Sequence, residues 1–240
     1  MSNSKSDRVV LFDELRVVVD RLYHRVQAML PSPEQISAGL DLLVQSAEQL
    51  GQAGWVMAGE ITPGEAHSLA AAVQAGPSGA DDWFVRFYQP STEFFRSLTD
   101  RLATNGELAE WQGLISECVW AYEQGKVRLV IPCMLPVLER LVVEFTRSTT
   151  SRKATDASKT WDAKAPKPAA GGMESVFYVS IAAFLKAVWE YRDFGQTPPD
   201  VINRNWLLHG RAVHNGNPAD ALRLLIGVAG VADYCARARP

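Results

Sequence analysis

Apolar residues recur every three or four positions along most of the chain, the spacing that predicts amphipathic α-helices. No stretch alternates apolar and polar residues in the manner of a β-strand. Helix boundaries support this interpretation: at Thr62-Pro63-Gly64-Glu65, threonine can cap a helix, proline suits its first turn and glutamate completes a capping box. The pattern therefore predicts an all-α protein. The predicted helices span about 7–29, 36–50, 62–74, 81–88, 91–103, 107–124, 126–147, 174–192 and 217–236.

A turn signal at Asn105-Gly106 divides the predicted helices into two regions. Residues 1–105 form an N-terminal helical region whose role the sequence does not indicate, and residues 106–240 form a C-terminal domain. Within that domain, residues 148–172 are rich in Ser, Thr, Lys, Ala and Pro. Trp161 is the one large apolar side chain among them. Because such a segment buries little apolar surface, we predict that it is a mobile loop.

The last predicted helix carries two apolar stripes where an ordinary surface helix carries one. We expect one stripe to face the helical bundle and the other to face a second copy of the chain. The stripes consist of Leu222, Leu225, Ile226 and Ala229, and of Leu224, Val228, Val231 and Cys235.

The composition is that of an ordinary globular protein, because 47% of the 240 residues are hydrophobic and 21% are charged. A formal net charge of -3 gives no overall attraction to a polyanion, so a nucleic-acid site must be a local basic patch or a cleft between subunits. The N-terminus lacks the order of a secretory signal, and the most apolar segment, 127–145, contains four charged residues and two prolines. We therefore expect a soluble, cytoplasmic protein without a membrane partner.

The three cysteines are widely spaced and have apolar neighbours, which predicts buried thiols and no disulfide. They also lack the spacing of zinc ligands. His209 and His214 lie close in sequence, but no Asp, Glu or Cys accompanies them at ligand spacing, so we expect neither a metal nor another cofactor.

Chemically useful side chains concentrate between the last two predicted helices, at Arg204-Asn205-Trp206-Leu207-Leu208-His209-Gly210. A guanidinium presents a planar set of donors that matches phosphate oxygens and stabilises developing negative charge. An imidazole exchanges a proton near neutral pH, as general acid–base catalysis requires. On a helix, we expect Arg204 and His209 to flank one pocket and Asn205 to reach its rim.

This order, Arg-Asn, three residues, then His-Gly, resembles the motif of HEPN ribonucleases, in particular their Apea-like branch. The resemblance extends from about Glu107 to the end of the chain. Pro136-Val137-Leu138-Glu139 adds a weaker likeness to a Pro-x-x-Glu stretch on an early helix of similar proteins. The family likeness implies a C-terminal four-helix bundle, whereas the N-terminal half resembles no family that we can name.

The resemblance also implies metal-independent cleavage of RNA, in which the RNA's own 2′-hydroxyl attacks and a 2′,3′-cyclic phosphate remains. Arg204, His209 and Asn205 would be catalytic, and Arg211 and His214 would extend the contact with RNA. One histidine cannot easily act as both acid and base, and family members dimerise so that two motifs share a cleft. By analogy, the protein would be a toxin or phage-defence effector with an inhibitory or sensing partner protein.

The same residues also allow structural interpretations. Arg204 can form an ion pair with Glu139 across the bundle, His209 can be structural, Arg211 can be a surface charge and His214 can be solvated. A non-catalytic helical module that binds RNA or protein is therefore the alternative function. A regulatory protein that docks a partner through its last helix is a third.

Overall fold

The computed structural model describes residues 32–146, 158–159, 161–163, 165–168, 172–193, 195–197, 199–211 and 216–238. Contacts divide the chain into two units, Met1–Gly39 and Leu40–Pro240. Of the first unit, only residues 32–39 are described. The helices of the described residues are α1 (Pro33–Gln52), α2 (Pro63–Gln74), α3 (Pro77–Phe87), α4 (Glu93–Thr104), a 3-10 helix η1 (Gly106–Trp111), α5 (Gln112–Glu123), α6 (Val127–Thr146), α7 (Met173–Val188), α8 (Arg204–Leu208) and α9 (Pro218–Ala238).

The all-helical prediction is confirmed, since the part of the chain that the structure describes contains no strand. The capping box at the start of α2 is also confirmed: the N–H of Thr62 donates to Oε2 of Glu65 (2.8 Å), and the N–H of Glu65 donates to Oγ1 of Thr62. The helix predicted at 7–29 lies outside the described residues.

Some predicted boundaries were wrong. Helix α3, predicted to begin at residue 81, begins at Pro77. The helix predicted at 107–124 is interrupted, because Asn105 caps a separate 3-10 helix by accepting a hydrogen bond from the N–H of Glu107 (2.9 Å). The helix predicted at 174–192 ends at Val188. Its last predicted turn is instead irregular chain, where the carbonyl of Glu190 accepts a hydrogen bond from Asn203 (2.7 Å).

Helix α9 is covered by its own chain on all its apolar sides. It packs against α3, α4, η1, α5, α6 and α7. Both of its apolar stripes are buried in the single chain, so the expectation that one of them faces a second copy is wrong. The physical reason is that α3 and α4, which lie before residue 105, also pack on α9. Helices on both sides of residue 105 thus share one core, and a division of roles at that residue stays a prediction.

Two glycines let neighbouring elements lie directly against α9. A Cβ atom on Gly227 would lie 2.5 Å from Cζ of Phe184 in α7. A Cβ atom on Gly230 would lie 2.7 Å from Cγ1 of Val56. Because real carbon atoms do not approach so closely, these two positions require the absence of a side chain.

Part of the segment predicted to be a mobile loop is packed in the core. Trp161 is fully buried, and its ring lies 5.2 Å from that of Phe145 and 5.5 Å from that of Tyr234. The hydroxyl of Tyr234 also donates to the carbonyl of Pro166. The remainder of the segment, 148–157, 160, 164 and 169–171, lies outside the described residues, so its mobility stays a prediction.

The cysteines are free thiols, and Cys118 and Cys235 are buried as predicted, while Cys133 is partly buried. Burial raises the pKa of Cys118 to about 12, which keeps its thiol protonated at neutral pH. Among the described residues, no three His, Cys, Asp or Glu side chains are grouped so that they could hold a metal ion. No helix in the described ranges has the length and apolar character needed to cross a membrane.

Replacing Gly227 with alanine should destabilise the protein by about 1–3 kcal/mol, because the added methyl group overlaps the ring of Phe184 within a packed core. Gly113 in α5 provides the matched control: it is exposed and a Cβ there meets nothing within 4 Å. Alanine at Gly113 should be neutral or stabilising by up to about 1 kcal/mol. Urea denaturation measures both, and equal stabilities would contradict the close packing of α7 on α9.

Candidate functional site

The motif begins with a one-turn helix, α8, that Asn203 initiates. The N–H groups of Asn205 and Trp206 donate to Oδ1 of Asn203 (3.1 and 3.3 Å), so this side chain is the N-cap. Its amide group donates to the carbonyl of Glu190 (2.7 Å), just after α7. Asn203 is 2% exposed, and the ring of Trp206 is buried beneath the helix. A helix this short is unstable alone, so these contacts determine where it lies.

The motif helix ends in a Schellman turn. The N–H of Gly210 donates to the carbonyl of Leu207 (3.1 Å), and the N–H of Arg211 donates to that of Trp206 (2.8 Å). This turn requires a left-handed residue after the C-cap, and Gly210 supplies it with φ of 66°. His209 is the C-cap residue. The His-Gly pair of the motif therefore has a local reason: glycine ends the helix directly after the histidine.

Arg204 occupies the first position of α8 and forms a two-pronged ion pair with Glu139 of α6. Its Nε lies 3.1 Å from Oε2 of Glu139, and its Nη2 lies 3.0 and 2.8 Å from Oε1 and Oε2. Both side chains are partly exposed, 21% for Arg204 and 26% for Glu139. The ion pair that the sequence suggested is thus present, and it fixes the guanidinium plane at the protein surface.

His209 is exposed at the far end of the same helix. Five residues turn an α-helix through about 500°, which leaves Arg204 and His209 about 140° apart around the axis rather than on one face. Asn205 connects them: its Oδ1 lies 3.4 Å from Nη1 of Arg204, and its carbonyl accepts from the N–H of His209 one turn later (3.2 Å). Any joint action of the two therefore depends on the reach of the arginine side chain across Asn205.

Two side chains on one face of α6 contact Arg204 and Gly216, the two ends of one segment of the chain. Arg128 and Glu139 are eleven residues apart in α6, which places them on nearly the same face and about 16 Å apart along the axis. Glu139 holds Arg204, and the side chain of Arg128 lies against Gly216, where a Cβ would be 3.0 Å from its Nε. The chain from Arg204 to Gly216 thus begins and ends on this face. Arg128 adds an exposed cation at its far end.

Arg211 and His214 are the two remaining residues of the predicted site. Arg211, whose N–H completes the Schellman turn, is exposed. His214 lies outside the described residues, so its predicted contact with RNA stays a prediction.

Sequence reasoning missed two residues that shape this site, Asn203 and Arg128. Asn203 could have been identified as an N-cap, because asparagine is favoured there and an apolar turn follows. Arg128 could have been identified by its eleven-residue spacing from Glu139, which equals about three helical turns.

The site therefore offers one surface imidazole, one oriented guanidinium and further cations in Arg211 and Arg128. Such a set can bind a phosphodiester and move a proton at it, without any group that would hold a metal among the described residues. Comparisons with known proteins add no assignment: no protein-family model, no curated protein and no solved structure matches this chain.

A double-mutant cycle should show that the Arg204–Glu139 pair stabilises the fold by about 1 kcal/mol, because the pair is two-pronged and partly buried. The variants are Arg204→Ala, Glu139→Ala and both together, compared by urea denaturation. The control cycle removes Arg140 and Glu144, an exposed i,i+4 pair on α6 expected to contribute about 0.3–0.5 kcal/mol. A coupling no larger than this control would mean that the pair does not hold α8 against α6.

Proposed function

We propose that the chain is a metal-independent endoribonuclease of the HEPN type. The helices from residue 106 onward, η1 with α5, α6, α7 and α9, would correspond to the four-helix bundle of that family. A role as a toxin or phage-defence effector, with an inhibitory partner protein, rests on the family analogy alone.

One observation supports this proposal above the others: a single capped turn carries Arg204 at its start and His209 at its end, both at the surface. Partial exposure also leaves the guanidinium accessible to a phosphate, which a closed core would not.

The proposed chemistry uses the RNA's own 2′-hydroxyl. His209 would accept the proton of that hydroxyl, and the oxygen would attack the adjacent phosphorus. Arg204 would donate hydrogen bonds to the non-bridging oxygens and stabilise their growing negative charge. The P–O5′ bond then breaks, a general acid protonates the leaving oxygen, and a 2′,3′-cyclic phosphate remains. Asn205 would hold Nη1 of Arg204 in place, since its Oδ1 lies 3.4 Å from that nitrogen.

The leaving oxygen needs a proton donor other than His209 of the same chain, and we propose that a second copy of the chain supplies it. Both stripes of α9 are buried, so the contact must lie elsewhere. Leu208 precedes His209, and its side chain is 42% exposed. A dimer formed around α8 would cover this leucine and bring two copies of His209 to one cleft.

The alternative is a non-catalytic helical module, and a specific observation favours it. Glu139 neutralises the charge of Arg204, as expected if the arginine only braces α8 against α6. The two functions differ in what His209 does, because only catalysis requires its imidazole to transfer a proton.

In the presence of a chelator, the wild-type protein should cut single-stranded RNA, and His209→Ala should lower the rate by at least about 100-fold. Its melting temperature should stay nearly unchanged, because the side chain is exposed. Gel analysis of labelled RNA gives the rate, and mass spectrometry identifies the cyclic phosphate, which is one water lighter than a linear phosphate. DNA of the same sequence should remain intact, since it lacks the 2′-hydroxyl.

Gln124→Ala is the matched control for His209→Ala. Gln124 is also an exposed C-cap, followed by Gly125 with φ of 68° and by the same Schellman hydrogen bonds. This variant should cleave at the wild-type rate. Full activity of His209→Ala, or no cleavage by the wild type on any RNA tested, would favour the non-catalytic module.

If a second copy completes the site, Leu208→Ser should weaken self-association and lower activity at low protein concentration, with recovery at high concentration. Leu42→Ser is the control, because Leu42 is 48% exposed on α1 and should not affect association. Sedimentation velocity measures the association, and the cleavage rate is followed across the same concentrations. A rate per chain that is independent of concentration in a monomeric protein would contradict the shared site.

A further inference from the structure

We infer that Asn203 is a positioning residue for RNA cleavage, which holds Arg204 between the end of α7 and Glu139 of α6. This role rests on the proposed function. It is distinct from that function because Asn203 is buried and does not itself touch the substrate.

The hydrogen bonds of Asn203 reach two different elements. Its Oδ1 accepts from the N–H groups of Asn205 and Trp206, which fixes the start of α8. Its amide donates to the carbonyl of Glu190, which fixes α8 to the chain leaving α7. Its own carbonyl accepts from the N–H of Leu207 (3.1 Å). Asn203 thus connects the first turn of the motif to a separate part of the fold.

The residue type is specified by these two tasks together. Serine, threonine, aspartate and asparagine all supply the oxygen that an N-cap requires. Of these, asparagine alone carries an amide that can donate to a carbonyl while its oxygen caps the helix. Aspartate would place a carboxylate 2.7 Å from the Glu190 carbonyl, which is repulsive. The bond to Glu190 therefore distinguishes Asn203 from a residue that merely starts a helix.

The consequence for Arg204 follows from its place in the chain. Arg204 directly follows Asn203, and its guanidinium is held by Glu139. With Asn203 fixed to Glu190 and the guanidinium fixed to Glu139, the arginine is held at both its backbone and its tip. Loss of the Glu190 bond releases the backbone end alone. Displacements of about 1 Å at a catalytic group can reduce a rate about 100-fold, so a small shift is enough.

Asn105 offers a matched control elsewhere in the fold. Its Oδ1 accepts from the N–H of Glu107 (2.9 Å) and caps η1, while its amide donates to Oδ1 of Asp233 in α9 (2.9 Å). It therefore performs the same two tasks as Asn203, a cap and a tether. Its tether connects η1 to α9 and does not involve the motif helix.

The experiment compares Asn203→Ser and Asn203→Asp with Asn105→Ser and Asn105→Asp. All four keep a capping oxygen. Melting temperatures are measured first, and cleavage is then assayed well below the lowest of them. For both Asn203 variants we expect kcat to fall by about 10- to 100-fold while KM changes less, because RNA binding by the exposed cations persists. Both Asn105 variants should retain kcat within about twofold of the wild type.

A loss of kcat in the Asn105 variants that equals the loss in the Asn203 variants would overturn the positioning role, since the effect would then be general destabilisation. Wild-type kcat in folded Asn203→Ser or Asn203→Asp would also overturn it. If only one of Asn203→Ser and Asn203→Asp folds, the kcat of the folded variant decides. Cleavage by the wild type with unaffected Asn203 variants would refute only this role. Absence of cleavage by the wild type would refute the proposed function and this role with it.

Discussion

The burial of α9 constrains the whole fold, because this helix has apolar side chains on nearly every side and none of its apolar faces can be left to water. Helices from both halves of the chain cover it: α3 and α4 precede residue 105 in the sequence, and α5, α6 and α7 follow it. The early helices are therefore part of the scaffold that holds the motif. A sensing role for α3 and α4 would have to act through this shared core, since both helices pack directly on α9.

The motif helix α8 depends on that scaffold for its position. It has five residues, too few for independent stability, and it takes its position from Asn203, Trp206 and Arg204. Two of these contacts are polar and specific, to Glu190 after α7 and to Glu139 of α6. The core therefore fixes α6 and α7, and these in turn fix the turn that carries Arg204 and His209.

Periodicity predicted most helices of the described chain because most of them have a buried face, and the cap residue Thr62 located the start of α2. The covering of α9 was not predictable in the same way. Apolar stripes indicate that a helix face is buried, but they do not indicate whether the same chain or another chain covers it. Likewise, Arg204 and His209 were identified from chemistry and spacing, whereas the tether from Asn203 to Glu190 joins residues thirteen positions apart across an irregular segment. No periodic pattern encodes such a contact.

The ion pair between Arg204 and Glu139 fits both candidate functions. Its stabilising free energy and its geometry both bear on how the arginine is held. A partly exposed pair contributes about 1 kcal/mol, too little to be the main reason that α8 stays in place. Glu139 also engages only the Nε and Nη2 side of the guanidinium. The Nη1 side faces Asn205, toward the turn that ends in His209. A phosphate that bound this arginine without displacing Glu139 would therefore have to approach Nη1. The pair therefore orients the guanidinium plane and leaves one defined approach to it, on the side of Asn205.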